Sequence, residues 1–147
     1  MNNYRDVFGE VLADHHESPR NWGLAPDTQV RENGFNPLCG DKVTLGLKFR
    51  DGQLESCTFE GEGCSICMAS ASIMTEMVQG QTLERVSGLI EGFRAKMQGE
   101  AAPEGLPTED SSEDIVALYG IKRFPVRIKC ALLPWTTLKK GLETPHA

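Results

Sequence analysis

Apolar and polar positions alternate along this chain in two periods, and the change of period locates its elements. Tyr4, Val7, Phe8, Val11 and Leu12 recur at the spacing of one helix face, which predicts a first helix over Tyr4–Asp14. The segment His15–Gly23 ends it, because the residue before Pro19 is pushed out of the helical region and Gly23 permits a turn. Val43–Phe49 and, less cleanly, Leu54–Glu60 alternate as strands, and Asp51-Gly52 between them is a strong hairpin signal. A further strand is expected near Thr28–Asn33. Small, helix-compatible residues after Gly63 open a long helix that runs to about Val78 and stops at Gly80. Another spans Thr82–Met97, with Thr82 as its cap and Val86, Leu89, Ile90 and Phe93 on one face.

From Gln98 to Ser112 the pattern dissolves into Gly, Ala, Pro, Glu, Asp and Ser, an acidic solvated loop. Ser111 is then placed as the cap of a short helix, Glu113–Tyr119, that Gly120 ends. In the last stretch Ile128, Leu132, Trp135 and Leu138 suit a buried helix face, but Pro134 conflicts with a helix that already includes Cys130. The helix therefore either begins near Ala131 or kinks at the cysteine, which puts Cys130 at a start or a break.

Length and charge narrow the function classes. The 147 residues suffice for a single domain over residues 1–147, and the net charge of −6 argues against a nucleic-acid surface. No apolar run is long enough to span a bilayer and the first residues lack a secretory layout, so a cytoplasmic protein is expected. Five cysteines in a reducing compartment favour thiol chemistry or metal binding over disulfides.

The turn Asn36-Pro37-Leu38-Cys39-Gly40-Asp41 presents a thiol and a carboxylate one residue apart. Cys64 stands at or just before a helix N-terminus, where the dipole favours a thiolate. Arg127 is within reach of whatever site Cys130 joins. Collected, Cys39, Asp41, Cys64 and Cys130 offer three sulfurs and one oxygen, a set that fits tetrahedral Zn²⁺. The alternative, that these are unconnected core residues, stays open at this point. Cys57 reads as a small buried hydrophobe, and His15-His16 as capping or packing residues. Cys64-Ser65-Ile66-Cys67 is a lone Cys-x-x-Cys match with no second pair to complete a zinc ribbon.

Four ordered motifs carry a family resemblance: Asp14-His15 with Pro19-Arg20-Asn21-x-Gly23; Asn36-Pro37-x-Cys39-Gly40-Asp41; Gly61-x-Gly63-Cys64-Ser65-Ile66-x-Met68-Ala69-Ser70-Ala71-Ser72; and Arg127-Ile128-Lys129-Cys130-Ala131. They resemble the NifU/IscU superfamily of iron–sulfur cluster assembly proteins, and more narrowly its SufU branch. IscU-type scaffolds have a histidine before the third cysteine and a Leu-Pro-Pro-Val-Lys segment ahead of it. Here Lys129 holds the histidine's place and Arg123-Phe124-Pro125-Val126-Arg127 replaces the segment. The acidic insertion also resembles the SufU branch.

The resemblance implies an α+β fold, a small three-stranded antiparallel sheet with helices packed on one side. It implies a zinc site of Cys39, Asp41, Cys64 and Cys130, with Cys39 accepting sulfur from the persulfide of a type II cysteine desulfurase and passing it to a downstream iron–sulfur scaffold. No nucleic acid or membrane partner is implied. A [2Fe–2S] scaffold on the same cysteines is the rival reading. Cys67 departs from the serine expected there and leaves open an extra thiol that relays sulfur or scavenges oxidant.

Overall fold

The computed structural model describes residues 8–100 and 112–144. Its elements in chain order are α1 (Glu10–Glu17), β1 (Val30–Asn36), β2 (Asp41–Arg50), β3 (Gln53–Glu62), α2 (Ser65–Val78), β4 (Gln81–Thr82), α3 (Leu83–Gln98), α4 (Glu113–Tyr119) and α5 (Ile128–Glu143). Two single 3₁₀ turns, Gly120–Arg123 and Pro125–Arg127, lead into α5.

The sheet is antiparallel, as expected, but it has four strands in the order β1-β2-β3-β4 rather than three. The added strand is two residues long, pairing Gln81 and Thr82 with Leu54 and Gln53. A dipeptide between a helix stop and a helix cap carries no period, so hydrophobic patterning had nothing to detect. Farther along the same edge of β3, Trp22 bridges Phe59 and its ring meets the Phe59 ring edge-on at 5.2 Å. The hairpin forms where Asp51-Gly52 required it, with both residues at positive φ.

One face of the sheet is apolar because β2 alternates: Val43, Leu45, Leu47 and Phe49 are buried, while Lys42, Thr44 and Lys48 turn the other way. Helices α2 and α5 pack against this layer, and α1 and α4 pack on α2. Trp135 of α5 stacks on Phe93 of α3 with ring centroids 4.4 Å apart, and both are buried.

Several boundaries differ from the sequence expectations. The helix expected over Tyr4–Asp14 is interrupted at Gly9, whose φ of 91° lies outside the helical region, and α1 continues to Glu17 instead of stopping at Asp14. Tyr4 and Val7 lie outside the described residues, as does most of the acidic Gln98–Ser112 insertion. The cap of α4 is Ser112, whose hydroxyl accepts from the Ile115 N–H, and not Ser111. Gly120 ends α4 by tightening into a 3₁₀ turn and not through a left-handed residue. Finally, α5 starts at Ile128 and not near Ala131, which puts Cys130 in its first turn, at the helix start as expected, and it runs on through Pro134 in its second turn. A proline there supplies no N–H to the Cys130 carbonyl four residues back.

Candidate metal centre

Cys39 is carried by a four-residue turn between β1 and β2. The Gly40 N–H donates to the Asn36 carbonyl at 2.8 Å, and the Asn36 side-chain oxygen accepts from the Leu38 N–H at 3.2 Å. Asp41, the first residue of β2, is buried, whereas Cys39 at the tip is exposed. On the neighbouring strand β3 ends at Glu62, and Gly63 turns the chain into α2. Gly63 has φ of 123°, and a Cβ there would lie 2.6 Å from Asp41 Oδ1 and 2.8 Å from Asp41 Cα. Only glycine lets the two segments approach this closely.

Cys64 is the N-cap of α2, as its position after two glycines predicted. Its side chain makes no capping bond, and its backbone N–H donates to Asp41 Oδ1 at 2.6 Å. The fourth residue arrives on the first turn of α5, where Cys130 Sγ stands 3.7 Å from Cys39 Sγ.

Cys39, Asp41 and Cys130 thus bring ligand atoms within 4.8 Å of one another. Cys64 borders this trio through its bond to Asp41, and its sulfur accepts from Arg127 Nη1 at 3.4 Å. The Cys64 sulfur raises the Arg127 guanidinium above its ordinary value. Burial first, and then the Asp41 carboxylate beside it, push the Cys130 thiol well above the usual range. A group of anionic ligands must repel in this way until a cation offsets the charge.

The fit to a cation is tested by Asp41 itself. Its Oδ2 is buried and has no hydrogen-bond partner among the described residues, a costly arrangement for a carboxylate oxygen. A zinc ion, taken up by thiolates and a carboxylate, would satisfy it, and the donor set of sulfur plus one oxygen suits that ion.

Ser70 of α2 sets the height of Cys130, a role that sequence reasoning missed. Ser70 Oγ donates to the Ala131 carbonyl at 2.6 Å and accepts from Trp135 Nε1 at 3.0 Å. Two bonds from one hydroxyl therefore fix the first turn of α5, and with it Cys130, to α2. Ser72, two residues on, faces α1. Its Oγ accepts the Arg20 N–H at 2.8 Å and lies 2.7 Å from His15 Nδ1. On the other side of that ring, Nε2–H donates to Asp114 Oδ2 at 2.9 Å. In the neutral ring Nδ1 then accepts from the Ser72 hydroxyl. His15, Glu76 and Asp114 form a second group of ligand atoms within 4.8 Å, but the buried His15 ring is engaged at both nitrogens. It packs three helices together, in line with the packing role expected for it. The sign in the sequence was the pair of hydroxyls two apart in the middle of the helix, between apolar residues.

Around Cys39 the surface is apolar. A cleft of about 320 Å³ is lined by Asn36, Leu38, Cys39, Pro125, Val126 and Lys129. Leu38 is 78% exposed and Val126 81%. Cys57 and Cys67 are both buried, Cys57 on β3 and Cys67 one turn into α2.

Comparison with known proteins gives a consistent answer. The NifU-like N terminal domain matches residues 7–142. The chain is 40% identical over 140 residues to the zinc-dependent sulfurtransferase SufU of Bacillus subtilis, covering 95% of this chain and 92% of that one. It is 36% identical over 140 residues to the iron–sulfur cluster assembly scaffold protein IscU of Thermotoga maritima, covering 95% of each. Among solved structures, an iron–sulfur cluster assembly scaffold protein for the SUF system from Fervidobacterium islandicum superposes with a TM-score of 0.82 at 30% identity, over 95% of this chain and 99% of its own. The N-terminal part of a NifU-like protein from Brucella abortus, at 21% identity and a TM-score of 0.79 over 95% of this chain and 94% of its own, shares the fold.

Proposed function

This chain belongs to the NifU-like N-terminal domain family and serves iron–sulfur cluster assembly, and from that premise we propose that it is a zinc-dependent sulfurtransferase that accepts persulfide sulfur from a type II cysteine desulfurase. The observation that carries this reading is the buried Asp41 Oδ2, unpartnered among the described residues, beside the Cys39 and Cys130 sulfurs, with Cys39 alone among the cysteines exposed. Cys39, Asp41, Cys64 and Cys130 are the proposed ligands. Bound there, zinc holds its ligand thiols as thiolates at neutral pH.

The chain's own residues do the rest. Cys39 sits at a turn tip, so its sulfur meets a partner without rearrangement of the core. In the transfer, Cys39 Sγ attacks the outer sulfur of the partner's persulfide; a new S–S bond forms on Cys39, the partner's S–S bond breaks, and the partner's cysteine leaves as a thiolate. Arg127, already 3.4 Å from the Cys64 sulfur, supplies positive charge at a site that gathers anionic sulfur. Exposed Leu38 and Val126 flank Cys39 and give the desulfurase an apolar surface to cover. A downstream iron–sulfur scaffold is the proposed recipient, and the cytoplasm, which keeps thiols reduced, the proposed compartment.

The test is direct. Protein purified without added metal should hold one zinc per chain and stimulate a type II desulfurase, with a persulfide on Cys39 by mass spectrometry. Cys39→Ala should abolish the stimulation while leaving the fold intact; full stimulation by that variant overturns the assignment.

The IscU relative supports a second reading, a scaffold that builds a [2Fe–2S] cluster on the same thiols. Against it stands Lys129, exposed at the cleft beside Cys39, where the IscU-type scaffolds have histidine. An ammonium has no lone pair for a metal. Stable visible absorbance after anaerobic reconstitution, with cluster transfer to an apo-acceptor, would favour the scaffold.

A further inference from the structure

Cys67 has no part in the proposed ligand set, yet it stands in the first turn of the helix that one proposed ligand, Cys64, caps. Burial raises its thiol most, and the nearby Asp41, Cys64 and Cys39 raise it further. Cys64 is the N-cap of α2 and Cys67 lies three residues on, in the first turn. Side chains at these two positions meet, as they do in a capping box, with Cβ atoms roughly 5–6 Å apart for an i, i+3 pair. A disulfide needs Cα atoms within about 4.4–6.8 Å and Cβ atoms within about 3.5–4.5 Å, so closing it draws Cys64, an extended N-cap residue outside the helix, about 1–2 Å toward Cys67. Cys64 makes no side-chain cap bond, and the contact its sulfur does make is with the exposed Arg127, whose Nη1 donates to it at 3.4 Å. Nearby, Cys39 Sγ and Cys130 Sγ are 3.7 Å apart. Four of the five cysteines therefore fall into two neighbouring pairs, and Cys57, buried on β3, stands outside them.

We propose that Cys67 is the resolving thiol for Cys64: under a peroxide oxidant the two close a disulfide across the first turn of α2, which withdraws Cys64 from the site and reverts with a dithiol. Cys64 is the part-exposed member of the pair and meets the oxidant first, whereas Cys67 is wholly buried. In the first step the peroxide O–O bond breaks, an S–O bond forms on Cys64, and one water leaves, giving a sulfenic acid. In the second the Cys67 sulfur attacks Cys64 Sγ, the S–O bond breaks, and the hydroxyl departs with the Cys67 proton as a second water. Two thiols are oxidised to one disulfide and one peroxide is reduced to two waters. Without Cys67, the sulfenic acid on Cys64 has no thiol on its own helix, and a second peroxide, losing one water, oxidises it to sulfinic acid, which a dithiol does not reverse. That the disulfide empties a metal site rests on the function proposed above; that it forms does not.

The experiment uses the full chain as purified. Hydrogen peroxide is added, remaining thiols are alkylated in denaturant, and the unreduced digest is mapped by mass spectrometry. Wild type is expected to show Cys64 joined to Cys67 with Cys57 alkylated, and dithiothreitol should restore both thiols. In Cys67→Ala, Cys64 should accumulate sulfinic acid and lose that recovery. The proposal is overturned by a wild-type map in which Cys64 is joined to Cys39 or Cys130, or in which Cys67 is fully alkylated after oxidation, or by equal sulfinic acid at Cys64 in both proteins. The wild-type map decides the matter even where the variant does not fold. A protein that forms this disulfide but fails to stimulate a desulfurase refutes the functional reading alone.

Discussion

The backbone N–H of Cys64 donates to Oδ1 of Asp41 across 2.6 Å, joining the start of α2 to the start of β2 and leaving Oδ2 as the buried oxygen without a partner among the described residues. One oxygen of the carboxylate is thus structural and the other is available to a cation. Asn at position 41 keeps an acceptor for the Cys64 N–H but removes the charge. Asp41→Asn is therefore expected to fold and to bind zinc at least about tenfold more weakly, measured by competition with a chromophoric chelator. Unchanged affinity would remove Asp41 from the ligand set.

Gly63 stands where Asp41 leaves no room. In Gly63→Ala the new Cβ meets Asp41 backbone and carboxylate while φ stays near 123°. Strain and overpacking together are expected to cost about 2–4 kcal/mol, read from the urea midpoint, and zinc content should fall with it. A variant as stable as wild type would show that the α2 start can move away from β2.

Ser70 satisfies two groups at once, the Ala131 carbonyl and the Trp135 indole N–H. Ser70→Ala leaves that buried N–H without its partner, and a loss of about 1–3 kcal/mol is expected in chemical denaturation. Because the same bonds set Cys130, zinc affinity should drop as well although no ligand is touched. Lost stability with full affinity would confine Ser70 to packing.

Alkaline pH bears on a buried thiol outside the site, Cys57. Burial on β3 pushes Cys57 up from its ordinary 9.0 to about 12. A thiol raised in the folded state contributes stability that is fully present below the unfolded value and is lost as pH rises toward the folded one. Over that window the unfolded chain releases a proton that the folded chain keeps, so stability falls by about 1.4 kcal/mol per pH unit. Urea unfolding of Cys57→Ala should show a shallower decline than wild type above pH 9.0, and parallel declines would contradict the assignment.

How far the sequence could be read depended on whether each cause was local. Thr82 and Cys64 were legible as helix starts because a cap is decided within a few residues, and the Asp51-Gly52 hairpin because its turn type dictates its residues. The gathering of Cys39 with Cys130 was legible only through family resemblance, since nothing in the spacing of residues ninety-one apart says that they meet. The two-residue β4 exists because β3 offers an open edge there, and the passage of α5 through Pro134 is carried by tertiary packing around Trp135. Those are non-local outcomes, as is the seat of His15 between Ser72 and Asp114.

The opposed hydroxyls of Ser70 and Ser72 make α2 a ruler. Cys64 lies at its zero mark, and the two serines grip α5 and α1 at fixed distances along it. A single inserted or deleted residue between Cys64 and Ser70 would turn those hydroxyls by about 100° relative to the thiol, and both grips would be lost together. Length variation in this chain's relatives is therefore expected to fall outside that interval, in the turns and the acidic segment, whatever happens to the identities of the residues within it.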